Sequence, residues 1–269
     1  MKITFWDKYH NIITQNKSYV CVGLDSEFSK IPKHLKTLED PIFEFNKKII
    51  DATKDLVACY KPNFGFYLSQ GIASLQALKK TIEYIPEHIP IILDIKAGDI
   101  GNTMTNYAQA FFNDWKVDAI TCNTLMGLDV VQSLFPFEDN FSFLLALTSN
   151  PSASDYLKAN ELYKRISRDI AGLPFTHFGA VVGATNSKEL REMRDLMPNT
   201  LFLVPGIGAQ GGSLKEVVEC TLYSKLDARF LINSSRGIIF ADSSKVFAEV
   251  ARAKTENLRT EINKIIDEI

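Results

Sequence analysis

The sequence predicts a (β/α)8 barrel with an additional N-terminal helix, on three observations. Eight short apolar runs alternate with amphipathic stretches along 269 residues. The runs are apolar throughout instead of at every second residue, so both faces of each strand are buried, as a parallel sheet clad in helices requires. No linker, repeat or low-complexity segment interrupts the alternation, and residues 1–269 read as one domain of a size that α/β barrels commonly reach. An open doubly wound sheet is the alternative, but it would have fewer units and a clear switch point.

Phe5 to Lys17 is the additional helix, with Phe5, Tyr9, Ile12 and Ile13 at helical spacing. The first strand, Tyr19 to Leu24, ends at Asp25. Pro41 to Thr53 is a helix with proline at its start and Phe45, Ile49 and Ala52 turned inward. The second strand, Leu56 to Tyr60, leads into Lys61-Pro62-Asn63, and a helix from Gly71 to Tyr84 follows. The third strand, Ile89 to Leu93, opens into Asp94-Ile95-Lys96-Ala97-Gly98-Asp99-Ile100 and on to Thr103. Thr103 to Trp115 is helical, Val117 to Cys122 is the fourth strand, and Leu128 to Leu134 is a short helix. Phe141 to Leu147 is the fifth strand and ends at Thr148-Ser149-Asn150. Asp155 to Ala171 is helical, and the sixth strand, His177 to Val182, closes at Gly183. Ser187 to Leu196 is a helix, and Leu201 to Val204 is the seventh strand, opening into the glycine-rich Pro205 to Gly212. Ser213 to Ser224 is helical, and the eighth strand, Arg229 to Asn233, ends in Ser234-Ser235-Arg236-Gly237. A long helix closes the chain, with Leu258, Ile262, Ile265, Ile266 and Ile269 as its apolar stripe.

Composition narrows the function classes. The formal net charge of −2 supplies no basic field for nucleic acid or a membrane surface. The first residues lack the long apolar core of a signal peptide, and no run approaches the ~18 apolar residues of a membrane span. The four cysteines form no CxxC pair, and the four histidines show no ligand spacing. Buried thiols in a reducing cytoplasm are expected, and a zinc site is not.

The chemistry gathers at the strand ends. In such a barrel the active site lies at the C-terminal face. Asp25, Lys61, Asp94, Lys96, Ser149 and Arg236 all fall there. Asp94 and Lys96 are two residues apart on a strand and should project together. A single charge at a strand end is ordinarily a solvated terminus; polar groups from five of eight strands at one mouth are harder to dismiss. Pro205 to Gly212 and Ser234 to Gly237 have a different character. Backbone N–H groups in glycine-rich turns bind phosphate and arginine binds it bidentately, and the loops after strands seven and eight are this fold's usual phosphate site. The bland reading is two tight turns and a surface arginine.

Asp94-x-Lys96-x-x-Asp99-Ile100-x-x-Thr103, Lys61 after the second strand, and Pro205-Gly206 with Gln210 and Arg236-Gly237 resemble the orotidine 5′-phosphate decarboxylase family, over essentially the whole chain. Lys61-Pro62-Asn63 and Gly208-Ala209-Gln210-Gly211-Gly212 fit its longer branch. The resemblance implies decarboxylation of orotidine 5′-monophosphate to UMP and CO2, the last step of pyrimidine synthesis, with no metal or organic cofactor. It implies that Lys96 gives the proton to C6 and that Asp94 lies near the departing carboxylate. Lys61 and Asp99 then complete an alternating array, with Asp99, Ile100 and Thr103 supplied to the neighbouring subunit's site, hence a homodimer with shared sites. It further implies that Asp25 and Lys61 bind ribose hydroxyls, Ser149 the pyrimidine edge, and Gln210 with Arg236 and Gly237 the phosphate beneath the Pro205–Gly212 loop. The resemblance also implies that Asn63 and Thr148 bind substrate.

Two rivals share the barrel. Sugar-phosphate decarboxylases and aldolases of the same superfamily use Mg2+ and commonly have an acid where Lys61 stands. A non-catalytic nucleotide-binding barrel would have no need of the full Lys61, Asp94, Lys96 and Asp99 set.

Overall fold

A computed structural model describes residues 3–183, 186–206 and 213–269. Eight strands, β1 (Val20–Gly23), β2 (Cys59–Lys61), β3 (Ile92–Ala97), β4 (Ala119–Cys122), β5 (Phe141–Leu147), β6 (Phe178–Val182), β7 (Phe202–Pro205) and β8 (Phe230–Ser234), form one parallel sheet. Its order is β2-β1-β8-β7-β6-β5-β4-β3. The ring closes between β2 and β3 through bridges at Tyr60–Ile91 and Asn63–Asp94. The fold is therefore the expected (β/α)8 barrel. The helices are α1 (Phe5–Asn16), α2 (Pro41–Thr53), α3 (Phe64–Leu68), α4 (Ile72–Tyr84), α5 (Gly101–Ala108), α6 (Asp129–Gln132), α7 (Leu162–Ala171), α8 (Ser187–Leu196), α9 (Leu214–Thr221), α10 (Arg236–Ile239) and α11 (Phe247–Glu268). No helix among the described residues is long and apolar enough to cross a membrane.

Two apolar layers position the site. The outer one fills the space between strands and helices, with Val22, Tyr60, Leu93, Ile120 and Leu144 facing residues such as Phe45 and Ile262. The inner one fills the barrel lumen with Cys21, Cys59, Ile92, Ala119, Phe141, Phe143, Leu203 and Leu231. The additional helix α1 closes the lumen at the N-terminal ends of the strands. Thr4 and Asp7 form a capping box that starts it. Phe5 then stacks on Phe141 at 4.5 Å between ring centroids, and Lys8 pairs with Asp118 at 2.7 Å. With that end plugged, the opposite mouth is left for chemistry.

Several boundaries differ from the sequence reading. The helix expected from Asp155 begins only at Leu162, because Asn160 and Glu161 adopt left-handed conformations (φ 49° and 57°) that break the helical path. The helix expected from Thr103 starts at Gly101, so Thr103 lies inside it. The strand expected at Ile89–Leu93 runs on to Ala97 and carries Asp94 and Lys96 within it. Two short helices, α3 and α10, were not foreseen.

Candidate active site

Inward positions recur every second residue, which carries the lumen pattern up to the mouth. Cys59 is followed on its face by Lys61, Ile92 by Asp94, and Ala119 by Thr121, with each first member in the inner layer. All three second members are buried. Asp94 is the hub. Its Oδ2 accepts from Lys61 Nζ at 2.8 Å and from Asn63 Nδ2 at 3.2 Å. Its Oδ1 accepts from Lys96 Nζ at 2.6 Å and from the Thr121 hydroxyl at 2.9 Å. A carboxylate has about four acceptor positions, and this one has a donor for each.

Lys61 and Lys96 are not equivalent. The Lys61 side chain is 5% exposed, whereas that of Lys96 is 47% exposed. The Lys96 side chain is by far the more open of the two. Lys96 also sits at an irregularity, since the β3–β4 register shifts between Leu93 and Ala97 and its φ is 48°. A left-handed conformation costs a residue with a Cβ about 1–2 kcal/mol. Asp94 and Lys96 thus meet as expected, but through a distorted turn of strand in place of a regular pleat.

The charges hold one another ionised. Burial pushes the Asp94 carboxyl up, yet the two ammonium groups outweigh it and hold the acid well below its ordinary range. Burial likewise works against charge on Lys61, but Asp94 and Asp25 prevail and raise it. The sign for stability follows from linkage. An Asp depressed in the folded state stabilises above its unfolded value of about 3.9, and that contribution is lost as pH falls toward the folded value. Urea unfolding measured from pH 7 to pH 3 should therefore show stability dropping below about pH 4. Asp94→Asn should flatten that acid slope, and an unchanged slope in the variant would contradict the assignment.

Asp25, just past β1, accepts at Oδ2 from the Ser235 hydroxyl at 2.5 Å. Its Oδ1 is buried and without a partner among the described residues. Ser235 comes this close because Gly23 leaves room: a Cβ there would lie 2.0 Å from the Ser235 hydroxyl oxygen. Arg236 begins α10 beside Gly237, exposed and with no ion pair among the described residues. Pro205 ends β7. Gln210 and most of the expected phosphate loop lie outside the described residues. Ser149 packs beside Gly183, whose Cβ would come 2.6 Å from the Ser149 nitrogen, and the Thr148 hydroxyl donates to Asn150 at 2.7 Å.

Asp99 stands apart. Its Oδ1 accepts from the N–H of Ile100 at 2.8 Å, and among the described residues it joins neither lysine. Ile100 and Thr103 are exposed, on a rim shared with exposed Leu125, Met126 and Leu128. The segments after β3 and β4 lie against each other: Gly98 abuts Asn123, and the Ser133 hydroxyl donates to the Gly101 carbonyl at 3.1 Å. Among the described residues of one chain, Lys61, Asp94 and Lys96 come together and Asp99 does not join them. Thr121 and Ser235 escaped the sequence reading, although the inward alternation of β4 would have flagged Thr121. No group of three or more His, Cys, Asp or Glu side chains among the described residues is arranged to hold a metal ion.

The chain is similar to proteins of one family over nearly its whole length. The model of the orotidine 5′-phosphate decarboxylase / HUMPS family matches residues 18–251. The orotidine 5′-phosphate decarboxylase of Flavobacterium johnsoniae is 46% identical over 266 residues, covering 96% of this chain and 97% of that protein. Among solved structures, OMP decarboxylase of Leishmania donovani superposes with a TM-score of 0.84 at 31% identity, over 98% of this chain and 99% of that one. UMP synthase of the same organism gives 0.85 at 33% identity, with 98% of this chain spanning 57% of the longer one.

Proposed function

This chain belongs to the orotidine 5′-phosphate decarboxylase family, and on that premise we propose how its residues divide the work of converting orotidine 5′-monophosphate to UMP and CO2 in pyrimidine biosynthesis. The bond from C6 of the pyrimidine to its carboxylate breaks, CO2 leaves, and the electron pair stays on C6. The ring cannot delocalise that pair, so the stabilising charge has to stand in place beforehand. Lys96 Nζ supplies it and then gives its proton to C6. The observation that carries this assignment is the contrast within the triad: of the two lysines paired with Asp94, Lys96 has by far the more open side chain.

Asp94, ionised and fixed by four donors, holds Lys96 charged and directs its Nζ. Lys61 balances Asp94 and, with Asp25, meets the ribose hydroxyls. Asp25 Oδ1, without a partner among the described residues, suits a hydroxyl donor. Ser149 and Thr148 take the pyrimidine edge, and Asn63 acts through Asp94. Pro205, Gln210, Arg236 and Gly237 take the phosphate. The phosphate lies far from C6, so its binding energy serves orientation.

The subunit pairs with a second copy. Asp99 joins no lysine among the described residues of its own chain, and the apolar Ile100, Leu125, Met126 and Leu128 are exposed. In a homodimer Asp99, Ile100 and Thr103 complete the neighbour's site. Four free, buried cysteines fit a cytoplasmic setting.

The deciding assay follows loss of orotidine monophosphate absorbance in EDTA-treated protein. Turnover is expected without added metal. A requirement for Mg2+ would favour a sugar-phosphate enzyme of the same superfamily, and binding without turnover would favour a nucleotide-binding barrel.

A further inference from the structure

We propose that Thr121 is a positioning residue for the reaction, holding Lys96 and Asp94 in their working geometry through one hydroxyl. The inference rests on the reading of Lys96 as proton donor. Thr121 lies in β4, 1% exposed, with its side chain at the mouth end of the lumen. Its hydroxyl oxygen accepts from the backbone N–H of Ile95 at 3.1 Å and of Lys96 at 2.9 Å. Its proton goes to Asp94 Oδ1 at 2.9 Å. One buried atom therefore joins the backbone of the donor lysine to the carboxylate that directs its ammonium.

The need for such an atom arises from the distortion in β3. Where the β3–β4 register shifts, between Leu93 and Ala97, two successive N–H groups leave the regular ladder. Buried amides without partners are costly, and a single hydroxyl oxygen has two lone pairs with which to take both. The same contact holds Lys96 at φ 48°, a conformation its side chain disfavours. Without it, the segment would relax toward a regular strand and carry Nζ away from Asp94 Oδ1. Lys96 is half exposed and has little else to fix it. Asn63 steadies only the other oxygen of Asp94.

Valine and serine variants separate positioning from packing. Thr121→Val keeps the β-branched shape and removes the hydroxyl, whereas Thr121→Ser keeps the hydroxyl and removes a methyl. Positioning predicts that T121V lowers kcat about 10- to 100-fold, as expected when a reacting group is displaced by a fraction of an ångström to an ångström. KM should stay within about threefold, since the loss falls on the transition state and spares ground-state binding. T121S should recover most of wild-type kcat. Packing predicts the reverse order, with T121V benign and T121S impaired, and that order would overturn the proposal. So would wild-type kcat in T121V, or equal losses in both variants. If T121V fails to fold, Thr121→Cys, of similar size but with a weak donor and acceptor, takes its place under the same criteria. Wild-type protein without decarboxylase turnover would sink the functional reading itself. Active wild type, inactive Lys96→Ala and full kcat in T121V would sink the Thr121 role alone.

Discussion

Lys96→Ala should abolish decarboxylation while nucleotide still binds. General acid catalysis contributes about 10²–10⁴-fold and a preplaced charge about 10²–10³-fold, and this one ammonium supplies both. A fall in kcat of about 10⁴-fold or more is therefore expected, equivalent to about 5.4 kcal/mol of barrier. UMP affinity should change far less, because the ribose and phosphate contacts come from other strand ends. The fold should survive, since the Lys96 side chain is half exposed and Asp94 keeps its pair with Lys61. Single-turnover kinetics beside calorimetric titration of UMP would separate the two effects. Full activity in the variant would refute the proton-donor role, and Lys61 would become the candidate despite its burial.

Mixing two inactive variants should restore activity if the site is shared. Lys96→Ala and Asp99→Ala homodimers each carry two defective sites. After subunit exchange a mixed dimer places both lesions in one site and leaves the other intact, as two-fold symmetry dictates. Random mixing makes half of the dimers mixed, so roughly a quarter of wild-type activity should return. Verified exchange without recovery would show that Asp99 serves its own chain, or none. The trans reading has a physical basis in the single chain: Asp99 bonds only to the adjacent Ile100 N–H and reaches no lysine among the described residues.

Legibility in the sequence varied with the kind of signal. Lys61, Asp94 and Lys96 could be read because charged residues ending apolar strands are conspicuous. Thr121 was legible only as an inward-facing residue of β4, since a lone threonine is an ordinary strand residue and its role depends on what β3 does beside it. The distortion at Lys96 leaves no mark either, because left-handed backbone usually announces itself by glycine and here a lysine adopts it. Asn160 and Glu161 conceal the break ahead of α7 in the same way. Ser235 needed the close approach at Gly23, a contact between the first and last strands.

The sequence by itself determined the barrel, the plugging helix and which strand ends carry charge, because alternation and apolar burial are local, repeated patterns in which each residue adds its part. The tertiary structure alone decided how the charges connect: Asp94 as hub, Lys96 as the more exposed lysine, Thr121 as the shared hydroxyl and Asp99 bonded to the adjacent Ile100 N–H. Apart from the Asp94–Lys96 pair within β3, those relations depend on distances of 2.5–3.2 Å between atoms from different strands or the turns that end them. Closure of the ring sets them, and no neighbouring residue in the chain encodes them.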